Sequence, residues 1–219
     1  MERITDAFAW PARDPQWLTK ILIICLLLLI PIAGAINGIG WMLATLDRLR
    51  AGEETLAPAN LSYLGRGLRL FVVNIVYGLA IVLVAAAIYV PALLIASSQS
   101  QGAANPALVS LAIVLSLLAF SVATLGTLAL NFALPAIVLA TDREGILGGL
   151  RVSAVARRSR INVAYTLIAG LMLIAAGFVG SLGIILCGIG VLFTSAYALA
   201  MQAWIIRSFE LGTAAVKAA

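Results

Sequence analysis

Histidine is absent from this 219-residue chain, cysteine occurs twice, and charged residues make up only 11% of it, against about 25% in a soluble domain. Each shortage excludes something. Without histidine, and with Cys25 and Cys187 each inside an apolar stretch, the usual ligand sets for zinc, non-haem iron or bis-histidine haem are missing. No metal site and no cofactor is expected. A disulfide framework has no support, and both cysteines are expected to pack as small hydrophobes. Hydrolytic chemistry lacks a histidine base, a G-x-S-x-G elbow and a P-loop, and ion pumping lacks the carboxylates, lysines or histidines that would mark it inside an apolar segment. The chain is therefore expected to be no enzyme, with no catalytic residue. Nucleic acid is not an expected partner, because no folded element outside the apolar segments could read a groove.

What is present is apolar surface: 63% of the residues are hydrophobic, and the charges are clumped. None lies between Lys20 and Asp47, between Arg69 and Asp142, or between Arg160 and Arg207. A helix crossing a hydrocarbon core about 30 Å thick takes roughly 20 apolar residues. The pattern predicts an all-α fold, a polytopic transmembrane helical bundle of six apolar segments with short interfacial amphipathic helices, as a single membrane domain over 1–219. Five spans, with the N-terminus outside, is the alternative. An interfacial segment is expected over 1–20, where Asp14-Pro15 reads as an N-cap and a first-turn proline. Residues 18–50, broken by Pro31, form either one kinked span or a short hairpin. Further spans are expected over 70–95, 108–140, 162–180 and 183–206, with a cytoplasmic interfacial helix over 142–160 and a cytoplasmic tail over 207–219. Pro91 and Pro135 are expected to kink their helices.

Lys and Arg concentrate in cytoplasmic loops. They cluster in 47–69, in 142–160 and in the tail, and the turns near 97–106 and 177–183 carry none. If 18–50 is a hairpin, all 14 basic residues fall on one side. That arrangement favours six segments with both termini cytoplasmic, in a prokaryotic inner membrane. A cleaved leader ending near Ala33-Gly34-Ala35 is the lesser expectation, since the stretch before it carries Glu2, Asp6 and Asp14.

Within the apolar segments, Asn37, Asn74 and Asn131 are the most polar candidates, each able to hydrogen-bond across helices. Gly34, Gly38, Gly177 and Gly180 are candidates for close helix packing, within the chain or between copies. Arg151, Arg157, Arg158 and Arg160 are candidates for anionic lipid headgroups or an acidic partner. The acids Glu53, Glu54, Asp142 and Glu144 are expected to be solvated in polar loops. Expected partners are membrane lipids, with a membrane-protein complex or a homo-oligomer beyond them.

The run Asp14-Pro15-Gln16-Trp17 with Lys20, then Leu29-Ile30-Pro31-Ile32-Ala33-Gly34, then Arg48-Leu49-Arg50-Ala51-Gly52-Glu53-Glu54 and Leu56-Ala57-Pro58, continued by Gly67-Leu68, resembles a bacterial and archaeal membrane family known as a domain of unknown function (four-zero-one-three). That family usually carries Leu-Pro followed directly by an acidic, aromatic stretch. Here Ala57 intervenes and Ala59-Asn60-Leu61 follows. The later half, with Leu134-Pro135-Ala136 and Arg160-Ile161-Asn162, is distantly similar to the membrane domain attached to some glycerophosphodiester phosphodiesterases. The resemblance implies an architecture and no activity. The expectation that remains is a non-enzymatic scaffold or accessory subunit of a membrane complex. Its alternatives are a passive lipid or small-solute translocator and a bilayer-shaping hairpin protein.

Overall fold

A computed structural model describes residues 5–99, 105–185 and 189–218. Arg3, Cys187 and the centre of the turn expected near 97–106 lie outside the described residues. Among the described residues, seven α-helices follow two short 3-10 turns at Asp6–Phe8 and Trp10–Arg13: α1 Trp17–Leu28, α2 Ala33–Arg50, α3 Leu64–Gln99, α4 Pro106–Leu150, α5 Val152–Ile161, α6 Val163–Leu182 and α7 Ile189–Ala218. No strand occurs among the described residues. Three of these helices are long and apolar enough to cross a membrane: Leu64–Gln99, Pro106–Leu150 and Val163–Ile185, the last including a 3-10 turn after α6.

Residues 18–50 form two helices. Helix α1 ends at Leu28, and the chain turns through Ile32, whose φ of 62° is the one positive value at a non-glycine residue among those described. Gly34 sits against the Leu27 carbonyl, where a Cβ would come within 2.1 Å of the oxygen, so the two arms meet closely at the turn. At 12 residues α1 is about 18 Å long, short of a full crossing.

The chain divides into two compact units, Met1–Val73 with Asn131–Ala219, and Asn74–Leu130. In the first, α7 is the central element. Its Ala196, Ala200, Met201, Ala203, Ile205 and Phe209 are fully buried, and it packs on α6, α2 and α1. Small residues let these helices approach closely, as membrane bundles require. The N-terminal turns dock on the same helix: Trp10 stacks on Trp204 at 5.2 Å, and Tyr197 Oη donates to the Phe8 carbonyl at 2.6 Å. The second unit holds the C-terminal part of α3 and the N-terminal part of α4, and it is apolar on the outside. Leu83, Leu94, Leu117, Phe120 and Leu125 are exposed there, as suits side chains solvated by lipid tails. Pro91 lies inside α3, and Pro135 lies inside α4, ten residues before Gly145.

Two local expectations need correction. No single helix covers 142–160: α4 is interrupted at Gly145, with φ 72° and ψ −164°, and a new helix starts only after Arg151 at ψ 85°. Only glycine adopts that Gly145 conformation without strain, and it redirects the chain after Glu144. Asp14 does not cap α1 directly. The helix begins after Gln16, and Asp14 instead accepts the Gln16 N–H at 2.8 Å.

Candidate functional site

The loop 51–63 after α2 folds back along that helix, and three side chains on one α2 face, spaced four apart, take up its backbone polar groups. Trp41 Nε1 donates to the Ala57 carbonyl at 3.0 Å, Ala57 N–H donates to Thr45 Oγ1 at 3.3 Å, and Asn37 Nδ2 donates to the Asn60 carbonyl at 2.8 Å. Asn37 Oδ1 also accepts from Tyr63 N–H at 3.3 Å. From the other side, Asp14 accepts Leu56 N–H at 2.8 Å, while Lys20 Nζ donates to the Leu56 carbonyl at 2.9 Å and to Asp14 at 2.7 Å. Burial alone would raise the Asp14 carboxyl. The Lys20 ammonium and the two backbone N–H donors outweigh it and hold the group below its ordinary value.

The loop then leads into α3 at a tight crossing. A Cβ on Gly67 would come within 1.8 Å of the Ile36 carbonyl oxygen, and one on Gly40 within 2.1 Å of the Tyr63 oxygen. Only glycine lets the two backbones approach this closely.

That crossing places Arg66 beside the end of α2, where charges from four helices converge. Arg50 donates to Asp47 at 3.0 Å, to Asp142 at 2.7 Å and, through two nitrogens, to Glu210 at 3.0 and 3.3 Å. Arg66 bonds both Asp47 and Asp142, the latter at 2.7 Å. Arg143 and Arg207 each donate to Glu210, at 2.7 and 2.9 Å. The side chains of Asp142 and Glu210 are only 10% and 12% exposed, so both carboxylates sit at the centre of the network. Burial pushes Glu210 up, but hydrogen bonds from Arg50 and Arg143 with the Arg50 charge and the Arg207 bond bring it below its ordinary range. Four guanidinium groups thus meet three carboxylates. Clefts of about 490 and 560 Å³ flank the network, one lined by Leu43, Arg69 and Val138, the other by Tyr165, Trp204 and Ser208. Each of the three carboxylates is paired with at least two guanidinium groups, so the network ties the helix ends together. Among the described residues, no group of histidine, cysteine and acidic side chains could hold a metal.

The residues singled out in the sequence scatter. Asn37 is fully buried and bonded to the loop, whereas Asn74 and Asn131 are half-buried in α3 and α4. Gly34 and Gly38 face other elements, Gly38 lying where a Cβ would come 2.9 Å from Leu199. Gly180 packs on Ala198, and Gly177 has open space. Arg151, Arg157 and Arg160 are exposed on or beside α5, and Arg158 is half-buried. Asp142 is not solvated, as its loop position had implied, because Arg50 and Arg66 enclose it.

Sequence reasoning missed Asp47 and Glu210 as partners, although the signal is visible. Asp47 and Asp142 are the first charges after their apolar gaps, and Glu210 is the sole acid beyond Glu144. Each stands next to or three residues from an arginine.

A family model described as "Protein of unknown function (DUF4013)" matches residues 23–189. No curated protein and no solved structure matches the chain.

Proposed function

The chain belongs to that family of unknown function, and from this premise we propose that it is a non-enzymatic scaffold or accessory subunit of a membrane complex. The observation that carries the reading is the pair of helix segments over 74–130. They present exposed apolar surface and a groove of about 580 Å³ lined by Gly78, Ala85, Ala86, Ala119 and Ala123. Small residues on a lipid-facing helix pair allow a further helix to pack at short range. The network supports the same reading, since each of its carboxylates is paired with guanidinium groups and none is left over for acid–base chemistry. The translocator alternative loses support because Asn37, one of its three motivating asparagines, is bonded to the loop.

Extraction of the tagged protein from its native membrane in mild detergent, followed by mass spectrometry, tests the proposal. A stoichiometric protein companion is expected, lost when Ala85 and Ala123 are both changed to Leu. Movement of a solute or lipid by the purified protein alone, at a useful rate in vesicles, would sink it.

A second reading, bilayer shaping, is favoured by α1. The helix is too short to cross, and Leu22, Leu26, Leu29 and Ile32 are exposed along it and its turn, as for a wedge entering one leaflet. Vesicle curvature sensitivity unchanged by Leu26→Gln with Leu29→Gln would dismiss it.

A further inference from the structure

Helix α5 carries an unresolved charge. Arg158 Nη1 is buried and has no hydrogen-bond partner among the described residues, and Ser159 Oγ, next in the chain, is a second such atom. Buried guanidinium nitrogens are almost always paired, because an unpaired one loses its hydration for nothing in return. The nearest charges do not supply the missing acceptor. Arg158 feels Arg143, whose like charge repels it, together with weaker attraction from Glu144 and Glu210. Burial, with Arg143 second, pushes the Arg158 guanidinium below its ordinary value. Glu210 is already shared by Arg50, Arg143 and Arg207, and Glu144 lies toward Arg151 at 3.9 Å. The cluster therefore holds five arginines around three well-buried or bridging carboxylates, with one guanidinium edge unmatched.

The surroundings indicate what fills the gap. Leu147 and Val152, at 72% and 64% exposed, and the exposed Arg151, Arg157 and Arg160 lie in the same stretch of chain as Arg143 and Arg158. Exposed apolar residues and arginines mixed at the end of one candidate membrane span and in the short segment before the next suit the headgroup level. We propose that Arg158 and Arg143 bind a phosphate group there, the phosphodiester of an anionic phospholipid. Its oxygens would accept from Arg158 Nη1 and screen the repulsion between the two guanidinium groups, and the planar donor fork suits a phosphate better than a point charge would.

The test uses the full chain in an uncharged detergent, at about 0.3 M salt so that exposed arginines are screened. Thermal unfolding is followed while short-chain phosphatidylglycerol, inorganic phosphate or an acidic peptide is added. Phosphatidylglycerol should stabilise the unaltered protein. R158Q should weaken its apparent binding tenfold or more, the scale of ~1.5–3 kcal/mol for a charged hydrogen bond; R158K should fall between, and R157Q should change it less than about twofold. Without ligand, R158Q should unfold at the same or a higher temperature, since it removes a repelled charge, whereas a purely structural Arg158 would lose stability there. Equal stabilisation by inorganic phosphate would keep the phosphate site and identify its occupant as the free anion. Binding unaffected in both R158Q and R158K, equal loss in R157Q, or a response to the acidic peptide alone would overturn the proposal.

Discussion

Arg50 reaches both carboxylate oxygens of Glu210, from Nε at 3.0 Å and from Nη2 at 3.3 Å, across 160 residues of sequence. The pair ties the end of α2 to the last turns of α7, and with them the ends of α3 and α4. Two-point contact fixes the direction of the guanidinium as well as its distance, so the bond sets an orientation between helices that apolar packing leaves loose.

Removing Glu210 should therefore harm more than one contact. Glu210→Gln leaves Arg50, Arg143 and Arg207 facing one another, and the expected loss is about 2–3 kcal/mol, less than the ~3–5 of a fully buried pair because solvent reaches Arg143. Arg50→Gln should cost a similar amount. The double variant should lose less than the sum, since the two changes remove one interaction. Thermal or denaturant unfolding in detergent provides the cycle, and strict additivity would show that the two groups are not coupled.

Acid should loosen the same network and, separately, the loop contact that Asp14 holds. Glu210 is held below its ordinary 4.5 and Asp14 below its ordinary 3.8, so in each case the unfolded chain takes up the proton first as the pH falls. The stabilisation is fully present above those ordinary values and is lost as the pH falls through the lower folded values. The midpoint of unfolding should be level from pH 7 to about 5 and decline below about 4.5. Glu210→Gln and Asp14→Asn should each flatten part of that decline. Parallel curves for the variants and the unaltered chain would assign the acid sensitivity to other groups.

Composition and charge spacing make the helical, membrane-type architecture legible, because an uncharged stretch from Leu70 to Thr141 admits few other folds. The three arginine-rich segments were legible as a group, and the network joins residues from each of them. What was hidden is long-range pairing. Nothing local in Asp142 distinguishes a solvated loop acid from one held by Arg50 and Arg66, since those partners lie in other helices. Asn37 looked like a helix–helix contact for the same reason: periodicity places it on a face, but only the return path of the loop 51–63 shows what that face meets. The break at Gly145, with its positive φ, was hidden too, since the segment 142–160 reads as one helix in the sequence.

Asn37→Leu should release the loop without unfolding the bundle. Both amide bonds vanish, leaving the Asn60 carbonyl and the Tyr63 N–H unpaired, for an expected loss of about 1–3 kcal/mol. Limited proteolysis should cut between Gly52 and Ser62 several-fold faster, with cutting elsewhere unchanged. Asn74→Leu should leave that loop as resistant as before. Equal cutting in both variants would detach Asn37 from the loop.

The α2–α3 crossing yields the sharpest contrast between neighbouring glycines. A Cβ on Gly67 would stand 1.8 Å from the Ile36 carbonyl oxygen and 2.8 Å from the Gly40 nitrogen, and backbone atoms cannot rotate aside as a side chain can. Gly67→Ala must move one helix against the other, which should cost about 3 kcal/mol or more, the upper range for overpacking. It should also carry Arg66 away from Asp47 and Asp142, so its loss should overlap with that of Arg66→Gln in a double variant. Gly65, two residues earlier in the same helix, and Gly177 in α6 have open space where a Cβ would go. Alanine at either should be neutral or stabilising by about 0.5–1 kcal/mol, because it restricts the unfolded chain and favours the helix. Unfolding curves of the three variants side by side separate packing from helix propensity. A Gly67→Ala protein as stable as Gly65→Ala would mean that the backbones do not meet there, and the route by which Arg66 reaches the network would have to be redrawn.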